Sequence, residues 1–344
     1  MGSLERERDR DPQGQRGRAD RLRLRHGRAA GPASVRTRPC RDLPCGKARS
    51  RPAPGRGRAH RRGRHRPAGM IRAVCAPDPQ RLAKHEGQHK YDHGHALVLS
   101  GPPGHGGAAR LAARAALRVG AGLVTLGCPR AAVGENAARL DAVMLRAVDA
   151  AEDLERLLED RRLNAICLGP GLGLEPVRAE LVAATLASGR PAVLDADALT
   201  LLARDPCLAA RLHPACVLTP HGGEFQRLFP DLASVSRPDA VAAAAARSGC
   251  VVLLKGAETR IAGPDGLALH AATGAASAPW LATAGAGDVL AGLIAGLLAR
   301  GLPPQEAAET GVWLHAEAAR RVGPGLIAED LPEALPAVFR SLGL

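Results

Sequence analysis

No stretch of this 344-residue sequence reaches the run of about 18 apolar residues that a bilayer-spanning helix requires. The first residues, MGSLERERDR, are charged and lack the apolar core and small-residue cleavage site of an export signal. A soluble, cytoplasmic chain is therefore expected. The eight cysteines (Cys40, Cys45, Cys75, Cys128, Cys167, Cys207, Cys216, Cys250) include no CxxC pair, which argues against a zinc ribbon or a disulfide framework. Those beyond residue 120 fall mostly in apolar stretches, so buried free thiols are expected. His85, His89, His93, His95 and His105 crowd one segment, but their spacing matches no standard zinc ligand set.

What is abundant is positive charge, a net +13, and it is unevenly placed. Residues 1–70 carry 20 Arg and one Lys against six acids, whereas the rest of the chain is close to neutral. The tail, densest at GRGRAHRRGRHRPAG, has no apolar face whose burial would offset the entropy of ordering it, and residues 1–84 are expected to form a disordered extension. Clustered arginines can neutralise nucleic-acid phosphates. The same Arg/Gly/Pro/Ala composition also arises when a GC-rich gene is read from an upstream start, which makes a passive extension the preferred reading.

From residue 85 to 344 the texture is that of one large α/β domain. Six short apolar runs (96–100, 122–128, 165–169, 191–197, 216–220 and 250–256) alternate with Ala/Leu-rich helical patterns. Most are continuously apolar, as strands covered by helices on both faces must be, so a mainly parallel, doubly wound three-layer α/β/α sheet is predicted. Between Thr259 and Ala272, two apolar runs flank Pro264, Asp265 and Gly266, a reverse-turn signature that predicts a hairpin near any nucleotide site. Arg110, Arg114 and Arg118 recur every four residues and read as a solvated helix face.

Ligands of such sheets bind where strand C-termini open into loops. GPGLG (169–173), DADAL (195–199), TPHGGEF (219–225) and KGAET (255–259) stand at such ends, followed by LATAGAGDVLAGLIAGLLARG (281–301). In that last stretch, Gly285 and Gly287 let the backbone approach an anion, and the helix start turns free N–H groups toward it. An acid there, Asp288, is suited to take a proton from an attacking hydroxyl. The simpler reading is that Asp288 caps the helix, while Gly292 and Gly296 allow close helix packing.

The ordered series KYDHGHALVLSG, GAARLAARAALRVGAGLVTL, GPGLG, VLDADAL, LTPHGGEF, LLKGAETRIAGPDG and LATAGAGDVLAG resembles the ADP-dependent NAD(P)H-hydrate dehydratase family of the ribokinase-like superfamily, over residues 88–344. The resemblance implies cofactor repair: (6S)-hydrated NADH or NADPH is dehydrated with ADP as co-substrate and Mg2+, releasing AMP and phosphate. It implies that Asp288 is the base and that the backbone of Ala286 and Gly287 holds the transferred phosphoryl. Lys255, Gly256, Ala257, Glu258, Thr259 and Gly287 would bind the AMP portion. Ala108, Gly171, Gly173, His221 and Asp288 would contact the hydrated dinucleotide, and Glu224 would place magnesium through water. Asp195 and Asp197 read equally well as phosphate–metal neighbours or as strand-end caps. Relatives also suggest a homo-oligomer, possibly a tetramer.

Three features depart from the family pattern. Prolines stand in the SGPPGHGG turn, Ala286 replaces a common Ser or Thr, and AASAPW lacks a common asparagine. No motif of the epimerase domain found in many relatives occurs within residues 1–84. Two alternatives remain open at this point: a ribokinase-like kinase for a small alcohol such as a vitamin precursor, and a nucleic-acid-binding protein acting through the arginine tail.

Overall fold

Apolar β-branched and leucine-rich runs flanked by glycine or proline become strands in the computed structural model, which describes residues 71–344. The expectations for residues 1–70, with Cys40 and Cys45, lie outside the described residues. The strands are β1 (Arg72–Ala73), β2 (His95–Leu99), β3 (Leu123–Cys128), β4 (Met144–Ala147), β5 (Leu163–Leu168), β6 (Ala192–Leu194), β7 (Cys216–Leu218), β8 (Val251–Leu254), β9 (Glu258–Gly263) and β10 (Gly266–Ala271). The helices are α1 (Pro79–Leu82), α2 (Gly107–Arg118), α3 (Val133–Ala137), α4 (Ala151–Leu157), α5 (Pro176–Ala187), α6 (Ala196–Arg204), α7 (Pro206–Ala209), α8 (Gly222–Leu228), α9 (Arg237–Ser248), α10 (Ala286–Ala299), α11 (Pro304–Val322) and α12 (Asp330–Ser341).

They build one ten-stranded sheet in the order β1-β10-β9-β8-β7-β6-β5-β2-β3-β4. The seven strands from β8 to β4 run parallel, and β9 and β10 form the expected antiparallel hairpin. Strand order reverses between β5 and β2, so the crevice for a ligand opens above the C-terminal ends of those two strands.

Side-chain alternation divides the core in two. Ala96, Val98, Val124, Leu126 and Val193 face a layer made by α2, α10, α11 and α12. Leu97, Leu99, Ile166, Leu168 and Leu194 face the layer that holds α4 to α9. The three-layer α/β/α architecture is thus written into the two-residue period of strands that look uniformly apolar. Helix α10 is buried on nearly all sides, because Gly292 and Gly296 press against the backbone of Ala112 and Ala116 in α2.

Four expectations need correction. The folded region begins before residue 85: β1 extends the sheet beside β10, Leu82 is buried in the core, and Arg81 pairs with Glu306 at 2.9 Å. Strand β4 was not anticipated, because its residues are only half-covered at a sheet edge and its apolar run is broken by Arg146. The arginine stripe of α2 is solvated at Arg114 and Arg118, which share Glu333 at the surface, but not at Arg110, which is half-buried and bonds Glu135 at 2.9 Å. Cys128, Cys167, Cys216 and Cys250 are buried free thiols as expected, but Cys207 is exposed.

Candidate active site

The switch-point crevice is closed by glycines at places where no side chain fits. A Cβ on Gly101, after β2, would lie 1.9 Å from the carbonyl oxygen of Gly171, after β5. Gly169 (φ +123°) lies against the backbone of Asp195, and Gly171 (φ +62°) against the His105 carbonyl, with Ala108 Cβ next nearest. The proline-containing turn at 101–106 therefore packs directly on GPGLG. Its prolines accompany a tight turn, His105 N–H donating to the Pro102 carbonyl at 3.1 Å.

Beyond β6 the backbone is strained. Ala196 is the one non-glycine among the described residues at positive φ (+44°), between Asp195 and Asp197. An alanine in this region costs about 1–2 kcal/mol and persists only where surroundings over-determine it. The surroundings are visible here: Asp195 N–H donates to the Leu168 carbonyl at 3.2 Å, and Asp197 Oδ2 accepts from Gly173 N–H at 2.8 Å. The bend lets one carboxylate reach Lys255 and Thr219 and the other reach the Gly173 backbone. Asp195 is 1% exposed. Its Oδ1 accepts from Lys255 Nζ at 2.6 Å and from the Thr219 hydroxyl at 2.9 Å. Asp195 precedes α6 without bonding its N–H groups, whereas Asp197, in the first turn of α6, accepts from the Gly173 backbone.

The glycine turn supplies the opposite wall. Gly285 (φ +86°) is the N-cap of α10, and a Cβ there would meet Leu111 and Ala328 within 2.9 Å. Asp288 lies in the first turn and accepts no backbone N–H among the described residues, so it is free of the capping role. A Cβ on Gly287 would stand 3.3 Å from Lys255 Nζ, so the glycine leaves the ammonium beside the free N–H groups. Burial first, then the charge of Asp195, with smaller repulsion from Asp197 and Glu224 and against the opposing charge of Lys255, pushes the Asp288 carboxyl up to about 6. Asp288 thus feels three other carboxylates and one ammonium. A base with a pKa near neutral in a partly dry crevice is suited to proton abstraction.

Glu224 and His221 form a reciprocal cap at the start of α8. His221 Nδ1 accepts from Gly223 N–H at 3.0 Å, and Glu224 Oε2 accepts from His221 N–H at 2.8 Å. Ala108, Gly171, Gly173, Asp197, Asp195, Lys255, Gly287 and Asp288 are linked through these contacts, with His221 and Glu224 beside them. The rest of KGAET is not brought in by contact: Glu258 pairs with Arg260, and the Thr259 hydroxyl donates to the Gly256 carbonyl at 3.0 Å within the hairpin connection.

Asp195 and Asp197 each bond through one oxygen and leave the other without a hydrogen bond among the described residues, while the second oxygen of Glu224 faces His221 Nε2 at 3.5 Å. No group of three such side chains within direct metal-binding reach occurs among the described residues. That donor set suits a magnesium ion that keeps most of its waters.

Three residues beside the candidate site were not singled out from the sequence. Thr219 holds Asp195, Ala196 stands at positive φ between the two acids, and His315 of α11 bonds the backbone of Ala286. The His315 ring is pushed down to about 4 by burial, is opposed by a hydrogen bond to the backbone of Ala286, and feels Lys255 and His270; its Nε2 has no partner. The neighbouring motifs were quoted for Thr219 and Ala196, but nothing local marks His315, which arrives from a distant helix.

A three-layer sheet with a glycine–acid turn at a helix start, above a switch point, defines a ribokinase-like protein. Such a fold is shared with the ribokinase-like superfamily protein of Enterococcus faecalis (TM-score 0.69, 24% identity, 81% of this chain and 99% of that one). Residues 96–335 match the NAD(P)H-hydrate dehydratase family, and the chain belongs to it. It is 43% identical over 274 residues to the bifunctional NAD(P)H-hydrate repair enzyme Nnr of Moorella thermoacetica, covering 74% of this chain and 51% of the relative. The chain thus spans about half the length of the curated relatives it matches. It is 30% identical to the ADP/ATP-dependent NAD(P)H-hydrate dehydratase of Bacillus subtilis, co-crystallised with ATP and Mg2+ (TM-score 0.63, 76% of this chain and 94% of that one). Among the described residues, no helix is long and apolar enough to cross a membrane.

Proposed function

We propose that the chain repairs nicotinamide cofactors, dehydrating (6S)-hydrated NADH or NADPH with consumption of ADP and release of AMP and phosphate. The observation that supports this reading is the half-buried Asp288 carboxyl, raised by burial, on the glycine turn that starts α10, in a chain of this family. Hydroxide is a poor leaving group, so the hydrate's hydroxyl must first be converted to a phosphate ester. Asp288 takes the hydroxyl proton as the oxygen attacks the terminal phosphorus of ADP, and the bond to the AMP oxygen breaks. The N–H of Gly287, free at the helix start, and that of Ala286, which donates only a long 3.5 Å bond to the Thr283 carbonyl, receive the charge that develops on the phosphoryl oxygens. Phosphate then leaves with the C–O electron pair while the adjacent ring carbon loses a proton, restoring the dihydropyridine double bond.

Lys255, tethered by Asp195, balances nucleotide phosphate charge, and Gly256 to Thr259 line the AMP portion. Ala108, Gly171, Gly173 and His221 present backbone and ring to the dinucleotide. Asp195, Asp197 and Glu224 would hold magnesium through its waters; when bound, the ion neutralises phosphate charge. Cofactor repair would serve the cytoplasmic nicotinamide pool, and a homotetramer is the assembly proposed.

Purified protein incubated with hydrated NADH, ADP and Mg2+ should recover the near-ultraviolet absorbance of the dihydronicotinamide ring and release AMP. Asp288→Asn should retain nucleotide binding and lose about 10²–10⁴-fold in turnover, the scale of general-base removal. No recovery by wild-type protein with either ADP or ATP would overturn the dehydratase reading. Turnover of an unhydrated small alcohol into its phosphate ester would favour a kinase instead.

A further inference from the structure

A second concave region lies at the far end of α10, roughly 20 Å along the helix from the glycine turn. A cleft of about 870 Å3 opens there between α2, α12, the segment 139–143 and the stretch Leu82–Lys84. Its floor is apolar, with Leu82, Leu117, Leu140, Val143 and Phe339. Its walls carry Lys84, Arg114, Arg118, Arg139, Arg300 and Arg340, against Asp141 and the terminal residue Leu344. Arg114 and Arg118 are matched by Glu333, but Lys84, Arg139 and Arg340 have no acidic partner among the described residues.

One cation, Arg300, is built into the fold, while Lys84, Arg139 and Arg340 stand exposed at the rim. Arg300 donates to the carbonyls of Leu82 (2.8 Å), Val119 (3.4 Å) and Gly120 (3.4 Å), tying α1, the end of α2 and α10 together. Its Nε is buried without a partner. Gly120 (φ +107°) makes room for this: a Cβ there would stand 2.0 Å from Arg300 Nη1 and 3.5 Å from Lys84 Cε. Burial and the Arg300 charge hold the Lys84 ammonium below the ordinary lysine range. Unmatched cations around an apolar floor gain most from an anion that also covers that floor.

We propose that this cleft binds a small amphipathic anion, a phosphate monoester with an aliphatic body. Guanidinium groups pair bidentately with phosphate, and the lining offers one aromatic ring against several aliphatic side chains, which favours an alkyl chain over a nucleoside. Neither the glycine turn nor the acid cluster takes part, so the proposal stands independently of the repair reaction.

The test is calorimetric titration of the full chain with n-octyl phosphate below its micelle concentration. One saturable site is expected, with inorganic phosphate and octanol each binding far more weakly. Replacing Arg139→Ala together with Arg340→Ala should weaken binding about tenfold or more, equivalent to about 1.4 kcal/mol. Both side chains are exposed, so thermal unfolding should be unchanged. Leu140→Asp should also weaken binding, whereas Asp288→Asn should bind as wild type. Absence of a saturable site, equal affinity in the double variant, or loss of binding in Asp288→Asn would overturn the assignment.

Discussion

Asp288 and His315 lie on either side of the same backbone turn and are perturbed in opposite senses, one raised to about 6 and the other lowered to about 4. The native state prefers protonated Asp288, so stability falls as pH rises from its ordinary value of 3.8 to about 6. The native state also prefers neutral His315, so stability falls as pH drops from 6.5 to about 4. In wild-type protein the two slopes partly cancel. Asp288→Asn should be more stable than wild type at neutral pH, by on the order of 1–3 kcal/mol, with the difference vanishing below about pH 4. His315→Leu should instead be the more acid-resistant variant, gaining most near pH 4. Denaturant titrations from pH 4 to 8 would show both, and parallel curves for all three proteins would refute the pairing. Activity has its own sign: a base must be ionised, so turnover should rise through about pH 6. Asp288 and Lys255 were legible in the sequence because each follows a glycine-rich or strand-end motif. His315 was not, because a histidine inside an ordinary helix carries no mark of what lies across the interface.

At the scale of elements, the decisive contact is α10 on α2. Gly292→Ala would put a methyl 2.1 Å from the Ala112 carbonyl oxygen, a backbone atom that cannot swing away. We expect a loss of about 1–3 kcal/mol, seen as a lower denaturation midpoint. Gly301→Ala, just past the same helix, meets open space, though its φ of +86° still penalises a side chain. If the first substitution were no more damaging than the second, backbone contact would not be what fixes α10. The parallel strands were legible because burial on both faces leaves continuous apolar runs, and the hairpin because its turn residues are distinctive. β1 and β4 were not, since a two-residue strand has no period and an edge strand has little burial to select its residues.

For the molecule as a whole, the boundary between the arginine-rich segment and the folded region carries a testable consequence. Removing residues 1–70 should leave stability and turnover unchanged, because every described contact is kept. Removing residues 1–84 takes away β1, buried Leu82, the Arg72 and Arg81 ion pairs with α11, and the Leu82 carbonyl that Arg300 binds. Losing Leu82 alone removes about 2–3 kcal/mol of burial, so the longer truncation should melt well below the shorter one. Equal melting temperatures would show that this segment adds nothing. Sequence texture sets the boundary at residue 85, where the alternating apolar runs begin, whereas packing sets it where the chain first meets the sheet. Because α10 is enclosed from Val289 to Ala299 and starts at the glycine turn, it leaves little latitude for change by mutation. Laboratory selection for a new substrate should therefore enrich substitutions in the 101–106, 170–175 and 272–283 loops, while α10 stays unaltered and serves as the fixed frame around which new specificity evolves.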